Sequence, residues 1–228
     1  MLIGSGLIAS AMKPQISSSF RGTIYAAGVS NSNCIDPKEF ARDAARLQQC
    51  LGRHPVGEVF VYFSTCSIYD PQSTTSCYVI HKFAMEALVR QTARHLITRL
   101  PQVAGRTPNP HTLLNFLYAR ISRGERFPLW IEARRNIIDC EDVATIVSSM
   151  VASDCQGIVN VANSMDYSLM EVVNEFERML SQTAQMDVLP KGGAYDIDIS
   201  VMSPLAKSLE IRFDEKYLNK VLEKYYGE

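Results

Sequence analysis

Tyr78 and Lys82 lie four residues apart in a stretch predicted to be helical. Residues at this spacing share one helix face, so the lysine ammonium can lie beside the phenol. A phenol has an ordinary pKa of about 10, and a neighbouring cation favours its phenolate form. The spacing therefore predicts an acid/base pair able to exchange a proton with a hydroxyl or carbonyl group. A surface lysine beside a half-buried aromatic ring would fit the same spacing.

Hydroxyl side chains stand upstream of this pair, where a strand is predicted to end. Residues 58–64 are largely β-branched and aromatic, which is typical of a buried central strand, and Ser64, Thr65 and Ser67 occupy its end. The carboxyl ends of parallel strands line the crevice in which open α/β sheets bind ligands. Such a strand end is often only the start of a loop, but here it precedes Tyr78 and Lys82. Together they predict a catalytic site.

A glycine-containing turn, Gly4–Ala9, opens the chain between a predicted strand and a predicted helix. Glycines at such a turn let the backbone approach a pyrophosphate, and the following helix supplies N–H donors. A purely structural strand-to-helix turn is the alternative. If the turn binds a nucleotide, its position at the first strand is the expected one for a dinucleotide-binding fold.

Short apolar strand patterns alternate with amphipathic helical stretches, which predicts a parallel α/β sheet. Ser168 and Glu171 form a capping-box pattern before an apolar helical stretch. The stretch 181–213 has no readable pattern. The predicted strands cover residues 1–3, 23–27, 58–64, 95–100 and 158–161, and the predicted helices begin at residue 7 and cover 37–52, 78–95, 113–123, 168–180 and 214–226.

Composition excludes several classes of protein. The 228 residues are 46% apolar and 21% charged with a net charge of −1, which excludes disordered and fibrous chains and gives no basic surface for nucleic acid. No apolar run is long enough for a membrane span. Six scattered cysteines and four histidines show no metal-binding spacing, so we expect no metal and reduced thiols. The sequence predicts one large domain, with or without a small lobe, in the cytoplasm.

The order of these motifs, with Ala26–Gly28, Arg99–Gly105 and Arg135–Val143, resembles the extended short-chain dehydrogenase/reductases. More narrowly, the chain is similar to their nucleotide-sugar epimerase/dehydratase branch, from residue 2 to about residue 180. The resemblance implies a Rossmann-like, doubly wound parallel sheet, trimmed in its first half, with a small C-terminal substrate-binding lobe. Residues 1–105 would form the cofactor-binding core with the catalytic groups. Residues 106–228 would supply the substrate lobe and the remaining core elements.

The resemblance also implies roles for individual residues. Thr65 and Tyr78 would be catalytic, and Lys82 would hold the nicotinamide ribose and lower the pKa of Tyr78. Arg135 would bind the nucleotide diphosphate, a role suited to a planar guanidinium. The other implied substrate contacts are Gln102 and Thr112, and the implied cofactor contacts are Gly4, Gly6, Leu7, Ile8, Ala27, Gly28, Ser64, Tyr78, Lys82 and Pro101.

The chain departs from the family pattern upstream of the catalytic groups. Ile3 stands in the place of the first glycine, and residues 10–21 leave room for one helix only. The second strand, and the acidic residue that would hold the adenosine ribose, have no counterpart. Residues 10–35 contain no Asp or Glu, and their only charges are Lys13 and Arg21. We therefore expect a trimmed adenine pocket that binds NAD or NADP with a preference for NADP.

The resemblance implies an enzyme acting on a nucleotide-activated sugar, in the assembly of surface polysaccharide, and by analogy a homodimer. Cys66 and Ser67 stand where dehydratases of this branch carry an Asp-Glu pair. An epimerase or a 4-ketoreductase is therefore favoured over a dehydratase. The alternative is a non-catalytic or regulatory nucleotide-binding protein that keeps the fold, since a fold does not by itself guarantee an activity.

Overall fold

The computed structural model describes residues 1–227. Its strands are β1 Leu2–Ile3, β2 Gly22–Tyr25, β3 Val59–Thr65, β4 His95–Leu100, β5 Gln102–Ala104, β6 Phe127–Trp130, β7 Arg134–Asp139, β8 Gly157–Asn160, β9 Asp166–Ser168 and β10 Met186–Leu189. Its α-helices are α1 Leu7–Met12, α2 Pro37–Gly52, α3 Cys77–Val89, α4 Leu113–Ser122, α5 Cys140–Ala152, α6 Leu169–Leu180, α7 Ser203–Ser208 and α8 Tyr217–Tyr226.

Five parallel strands form the central sheet in the order β1-β2-β3-β4-β8. Every residue of β3 is buried, because helices cover both faces of the sheet and leave no polar side to the strand. Strand β1 forms one edge, and within residues 1–227 only β2 pairs with it. The predicted doubly wound sheet, trimmed in its first half, is confirmed.

The two faces of the sheet carry separate hydrophobic clusters, as the alternation of side chains along each strand requires. Helices α1, α5 and α7 cover one face, where Met12, Val61 and Val147 are buried. Helices α2 and α3 cover the other face over Leu47 and Tyr62. The carboxyl ends of β1 to β4 thus lie together at one edge of a three-layer core, in which the sheet is covered by helices on both faces.

A third cluster forms a smaller lobe from the second half of the chain. Strand β6 pairs in parallel with β10, and β7 lies between β5 and β9. Phe127, Phe176 and Leu222 are buried there among α4, α6 and α8. Strand β8 and helix α5 return to the main sheet. The division at residue 105 stays a prediction about domains.

The structure corrects several predicted elements. The helix predicted over 78–95 ends at Val89, and Thr92 then accepts a hydrogen bond from the ring of His95, 2.8 Å away, in a turn. The capping box at Ser168 and Glu171 is present as predicted. Strands β5, β6, β7, β9 and β10 and helices α5 and α7 had no counterpart in the sequence prediction. No helix of residues 1–227 has both the length and the apolar character needed to cross a membrane.

Candidate active site

The carboxyl ends of β1 to β4 surround a cleft of about 350 Å³. All but one of the residues predicted to be catalytic or ligand-binding line it, although they come from distant parts of the chain. They are Gly4, Gly6, Leu7, Ile8, Ala27, Gly28, Ser64, Thr65, Tyr78, Lys82, Pro101, Gln102 and Thr112.

Arg135 is the exception: it does not line this cleft, and its role in binding the nucleotide diphosphate of the substrate stays a prediction. Its guanidinium donates hydrogen bonds to the carbonyl oxygens of Arg134 at 2.7 Å and of Gly193 at 3.2 Å. It also lies 3.8 Å from a carboxylate oxygen of Asp70. These contacts tie Arg135, on β7, to the segment after β10 and place it near Asp70, outside the cleft.

Thr65 is the last residue of β3 and the cap of the short 3₁₀ turn that follows. Its Oγ1 accepts a hydrogen bond from the Ser67 amide at 3.0 Å and donates one to the Ser67 hydroxyl at 3.0 Å. The Thr65 hydroxyl also lies beside the hydroxyl of Tyr78, and its one hydrogen favours the ionised phenol when it is donated there instead of to Ser67. The strand end thus fixes a hydroxyl next to the phenol, in the arrangement that the sequence predicts.

Tyr78 lies in the first turn of α3, whose N-cap Ser76 accepts a hydrogen bond from Val79. Burial raises the pKa of Tyr78 to about 12, and Thr65 opposes that rise. Desolvation outweighs the effect of Thr65, and a lowering of this pKa by Lys82 stays a prediction. Tyr78 is therefore a protonated group at neutral pH, suited to donate a proton first.

Lys82 lies one turn further along α3, with its ammonium 5.8 Å from the centre of the Tyr78 ring. Its Nζ donates a hydrogen bond to the Phe63 carbonyl oxygen at 3.1 Å and lies 3.5 Å from the Tyr62 hydroxyl. Burial lowers the pKa of Lys82 to about 8, against the opposing charges of Asp43 and Glu86. The lysine therefore keeps its charge at neutral pH in an apolar setting.

A buried ion pair beneath the cleft was missed by the sequence prediction. Arg99 on β4 makes two hydrogen bonds to Glu86 on α3, at 2.9 and 2.7 Å. Ser64 donates to the same carboxylate at 2.6 Å, and Arg99 donates to the Tyr69 hydroxyl at 2.9 Å. The spacing of Glu86 four residues after Lys82 indicates only that both lie on one helix face, and no spacing in the sequence points to Arg99. This network fixes the end of β3 against α3.

The glycine turn leaves room where a nucleotide would lie. Gly4 has φ +127° and packs against β2, where an added Cβ would come within 2.3 Å of the Ala26 oxygen. An added Cβ on Gly6 would meet nothing within 4 Å, because that residue faces the cleft. Within residues 1–227, the buried hydroxyl oxygen of Thr112 lacks any hydrogen-bond partner and lines the same cleft. These features fit a bound dinucleotide with a polar substituent near Thr112.

A second cavity of about 610 Å³ adjoins the cleft at Ser5–Leu7 and Ala27–Ser30. Three arginines, Arg42, Arg46 and Arg106, line it. Of its two carboxylates, Glu39 pairs with Arg42 and Asp43 is buried in hydrogen bonds. Arg46 and Arg106 form no salt bridge with any other residue of the described part of the chain. The cavity is therefore positively charged.

Lys13 and Arg21, the two cations that the sequence prediction assigned to this region, lie elsewhere. Lys13 is in a 3₁₀ turn after α1, and Arg21 lines a separate pocket with Met12 and Val151. Neither lines the cleft or the adjoining cavity. Helix α2 and the loop after β5 supply the positive charge instead.

Comparison with known proteins is consistent with this geometry. The model of the NAD dependent epimerase/dehydratase family matches residues 23–162. No curated protein matches the chain.

Solved structures of low sequence identity share the fold. The UDP-glucuronic acid 4-epimerase of Bacillus cereus, in complex with UDP-glucuronic acid and NAD, is 16% identical with a TM-score of 0.70, over 90% of this chain and 73% of that one. The UDP-glucose 4-epimerase of Thermus thermophilus, in complex with NAD, is 18% identical with a TM-score of 0.65, over 88% and 76%. RMD from Pseudomonas aeruginosa, complexed with NADPH, is 15% identical with a TM-score of 0.68, over 97% of both chains.

Proposed function

The chain belongs to the NAD-dependent epimerase/dehydratase family, and from that premise we propose that it is an epimerase or a 4-ketoreductase of a nucleotide-activated sugar. The observation that carries the proposal is the meeting of Thr65, Tyr78 and Lys82 in one cleft with the glycine turn. A role in surface polysaccharide assembly and a homodimer rest on the family resemblance, and we propose them on that ground alone. We propose a cytoplasmic location from the six scattered cysteines, which are typical of reduced thiols.

In this mechanism Tyr78 exchanges a proton with the reacting oxygen of the sugar. Its pKa of about 12 makes the phenol the proton donor in the ketone-to-alcohol direction, and its phenolate is the acceptor in the reverse direction. The Thr65 hydroxyl, fixed by Ser67, orients that oxygen. Lys82, which lines the same cleft, binds the ribose hydroxyls in this proposal. When bound, the nicotinamide cofactor supplies or accepts the hydride.

The residues after Thr65 support an epimerase or a ketoreductase over a dehydratase. Burial raises the pKa of the Cys66 thiol to about 12, so it carries no charge with which to remove a proton from the sugar. The Ser67 hydroxyl is engaged with Thr65. The next carboxylate along the chain, Asp70, accepts hydrogen bonds from the Gln72 amide and the Ser73 hydroxyl. No carboxylate therefore occupies the two positions after Thr65.

A Tyr78→Phe variant tests the reaction. We expect purified protein, assayed with NAD or NADP against a panel of nucleotide sugars, to lose about 10²- to 10⁴-fold in turnover on this change. Tyr118→Phe is a matched control, since Tyr118 packs on Phe176 in the second lobe. Unchanged turnover in Tyr78→Phe would overturn the mechanism. Cofactor binding by a wild-type protein that turns over no sugar would favour the regulatory alternative.

The positive cavity supports a preference for NADP over NAD. The phosphate group that distinguishes NADP needs cationic donors, and Arg46 and Arg106 are available. Calorimetric titration should show tighter binding of NADP than of NAD. An Arg46→Gln, Arg106→Gln double variant should lose about tenfold or more of its NADP affinity and little of its NAD affinity. Arg53→Gln, at the end of the same helix and outside the cavity, is the control. Equal affinities in the wild-type protein would refute this preference.

A further inference from the structure

Asp43 is a buried acid that none of the steps above uses. It lies on α2 and is 4% exposed. Its Oδ1 accepts a hydrogen bond from the Tyr25 hydroxyl at 2.7 Å, and its Oδ2 accepts one from the Val29 amide at 3.2 Å. The His81 ring nitrogen Nε2 lies 2.8 Å from the same Oδ2. An ionised carboxylate only accepts, so Nε2 carries the hydrogen in this contact.

Asp43 also lies next to the Lys82 ammonium, across the backbone of Gly28. A methyl group placed on Gly28 would be 3.0 Å from Lys82 Nζ and 3.5 Å from Asp43 Oδ2. Both side chains are buried, and a charge buried without a counter-charge is costly. The two groups approach the same point beside Gly28 without a direct salt bridge among the described residues, so their opposite charges act on each other through space.

Glu86 also faces Lys82 and acts on its pKa in the same direction as Asp43, but that carboxylate is shared with other groups. Glu86, on the same helix, is already bound by two of the three guanidinium nitrogens of Arg99 and by Ser64. Tyr62 on β3 and Tyr78 on α3 face Lys82 as neutral phenols, and burial raises the pKa of each. Phe63 contributes a carbonyl oxygen. Among the described residues, Asp43 has no arginine or lysine in direct contact; the ring of His81 lies against it instead.

We propose that Asp43 is a positioning residue for the cleft, acting as the counter-ion of Lys82 while tying the Gly28–Val29 loop to helix α3 through His81. The geometry joins three elements at one carboxylate: the end of β2 through Tyr25, the loop after it through Val29, and α3 through His81. The consequence for catalysis rests on the proposed function. The effect of Asp43 on the pKa of Lys82 does not depend on the proposed function.

The direction in which the pKa of Lys82 changes on Asp43→Asn distinguishes an electrostatic role of Asp43 from a purely structural one. Burial lowers the pKa of Lys82 to about 8, and Asp43 opposes that effect. If Asp43 acts as a counter-ion, Asp43→Asn lowers this pKa further, by about one unit or more. If Asp43 only supports packing, the same change admits water and raises the pKa toward the ordinary lysine value.

The experiment is an NMR titration of lysine side chains in the full chain, without cofactor or substrate. A Lys82→Arg variant identifies the Lys82 resonance among the lysines. We expect a wild-type pKa near 8, a lower value in Asp43→Asn, and an unchanged value in Tyr25→Phe, which removes a hydrogen bond from Asp43 but keeps its charge. An unchanged or raised pKa in Asp43→Asn overturns the proposal. If Asp43→Asn does not fold, a wild-type pKa below 7 overturns it.

Cofactor affinity measured against pH gives a second readout. Lys82 is charged below its pKa, so binding that depends on its charge persists at low pH and weakens as pH rises through about 8. In Asp43→Asn the weakening should begin at a lower pH. A protein that binds no nicotinamide cofactor would contradict the proposed function and leave the NMR result standing. A normal lysine titration in an active enzyme would contradict the role of Asp43 alone.

Discussion

At the scale of single residues, Thr65 combines a structural and a chemical role in one hydroxyl. Its oxygen accepts a hydrogen bond from the Ser67 amide and lies beside the phenol of Tyr78. Thr65→Val keeps the volume and removes the oxygen. We expect a loss of turnover together with about 1–3 kcal/mol of unfolding free energy, because the amide of Ser67 loses its acceptor in a part-buried setting. Steady-state assays and urea unfolding measure the two effects.

Thr65→Ser is the matched control for this prediction, since it retains the oxygen and loses only a methyl group. It should keep most of the turnover and most of the stability. If Thr65→Val keeps full turnover while losing stability, the hydroxyl serves only to cap the turn. The catalytic role of Thr65 would then be wrong.

At the scale of elements, the turn from β1 to α1 contains two glycines with different requirements. Gly4 has φ +127° and no space for a Cβ against Ala26, whereas Gly6 has open space on the cleft side. Gly4→Ala should therefore lower the unfolding free energy by more than about 2 kcal/mol. An alanine is strained at this positive φ, and its methyl group would overlap the Ala26 carbonyl oxygen. Gly6→Ala should change stability by less than about 1 kcal/mol. Denaturant unfolding compares the two variants directly.

The same pair of variants also tests where the cofactor lies. The added methyl of Gly6→Ala enters the cleft, so cofactor affinity should fall while the fold is kept. The loss should be visible by calorimetry at a protein stability close to that of the wild type. Full affinity in Gly6→Ala would place the nucleotide away from this turn.

Elements differ in how far the sequence predicts them. Strand β3 was predictable from its continuous run of apolar and aromatic residues. Helices α2 and α6 were predictable from their apolar periodicity and from the residues that begin them. Strands β5, β6, β7, β9 and β10 have three to six residues each and depend on partners distant in the chain. Strand β7 also begins with Arg134 and Arg135, which hide its apolar second half. Their pairing is decided by tertiary contacts, which a local pattern does not contain.

The candidate site was predictable to a similar depth. Motif residues such as Thr65, Tyr78 and Lys82 carry their spacing in the sequence and meet in the cleft. Asp43 and His81 lie 38 residues apart and become partners only when α2 packs beside α3. The protonation of Tyr78 likewise follows from burial, which depends on the whole fold. The supporting polar groups were therefore not readable from spacing alone.

At the scale of the whole molecule, the sheet supports the two halves of a dinucleotide unequally. The catalytic half of the cleft lies over β2, β3 and β4, inside the core. On the other side, β1 is the edge strand of residues 1–227, and residues 10–35 offer no carboxylate to a ribose hydroxyl. The adjoining cavity provides Arg46 and Arg106, while its carboxylates Glu39 and Asp43 are engaged with Arg42 and with buried hydrogen-bond donors. The affinity for the half of the cofactor that carries adenosine should therefore depend on contacts of Arg46 and Arg106 with the phosphate groups, rather than on contacts to the ribose hydroxyls.

Fragments of the cofactor test this division. AMP should compete weakly for the site, and 2′,5′-ADP should compete about tenfold better or more, because its second phosphate reaches the cationic cavity. That advantage should disappear in the Arg46→Gln, Arg106→Gln variant, while nicotinamide mononucleotide binds the wild type and the variant equally. Competition calorimetry measures all three ligands on one protein. AMP binding as tightly as 2′,5′-ADP would mean that ribose or adenine contacts, and not the arginines, hold this half of the cofactor.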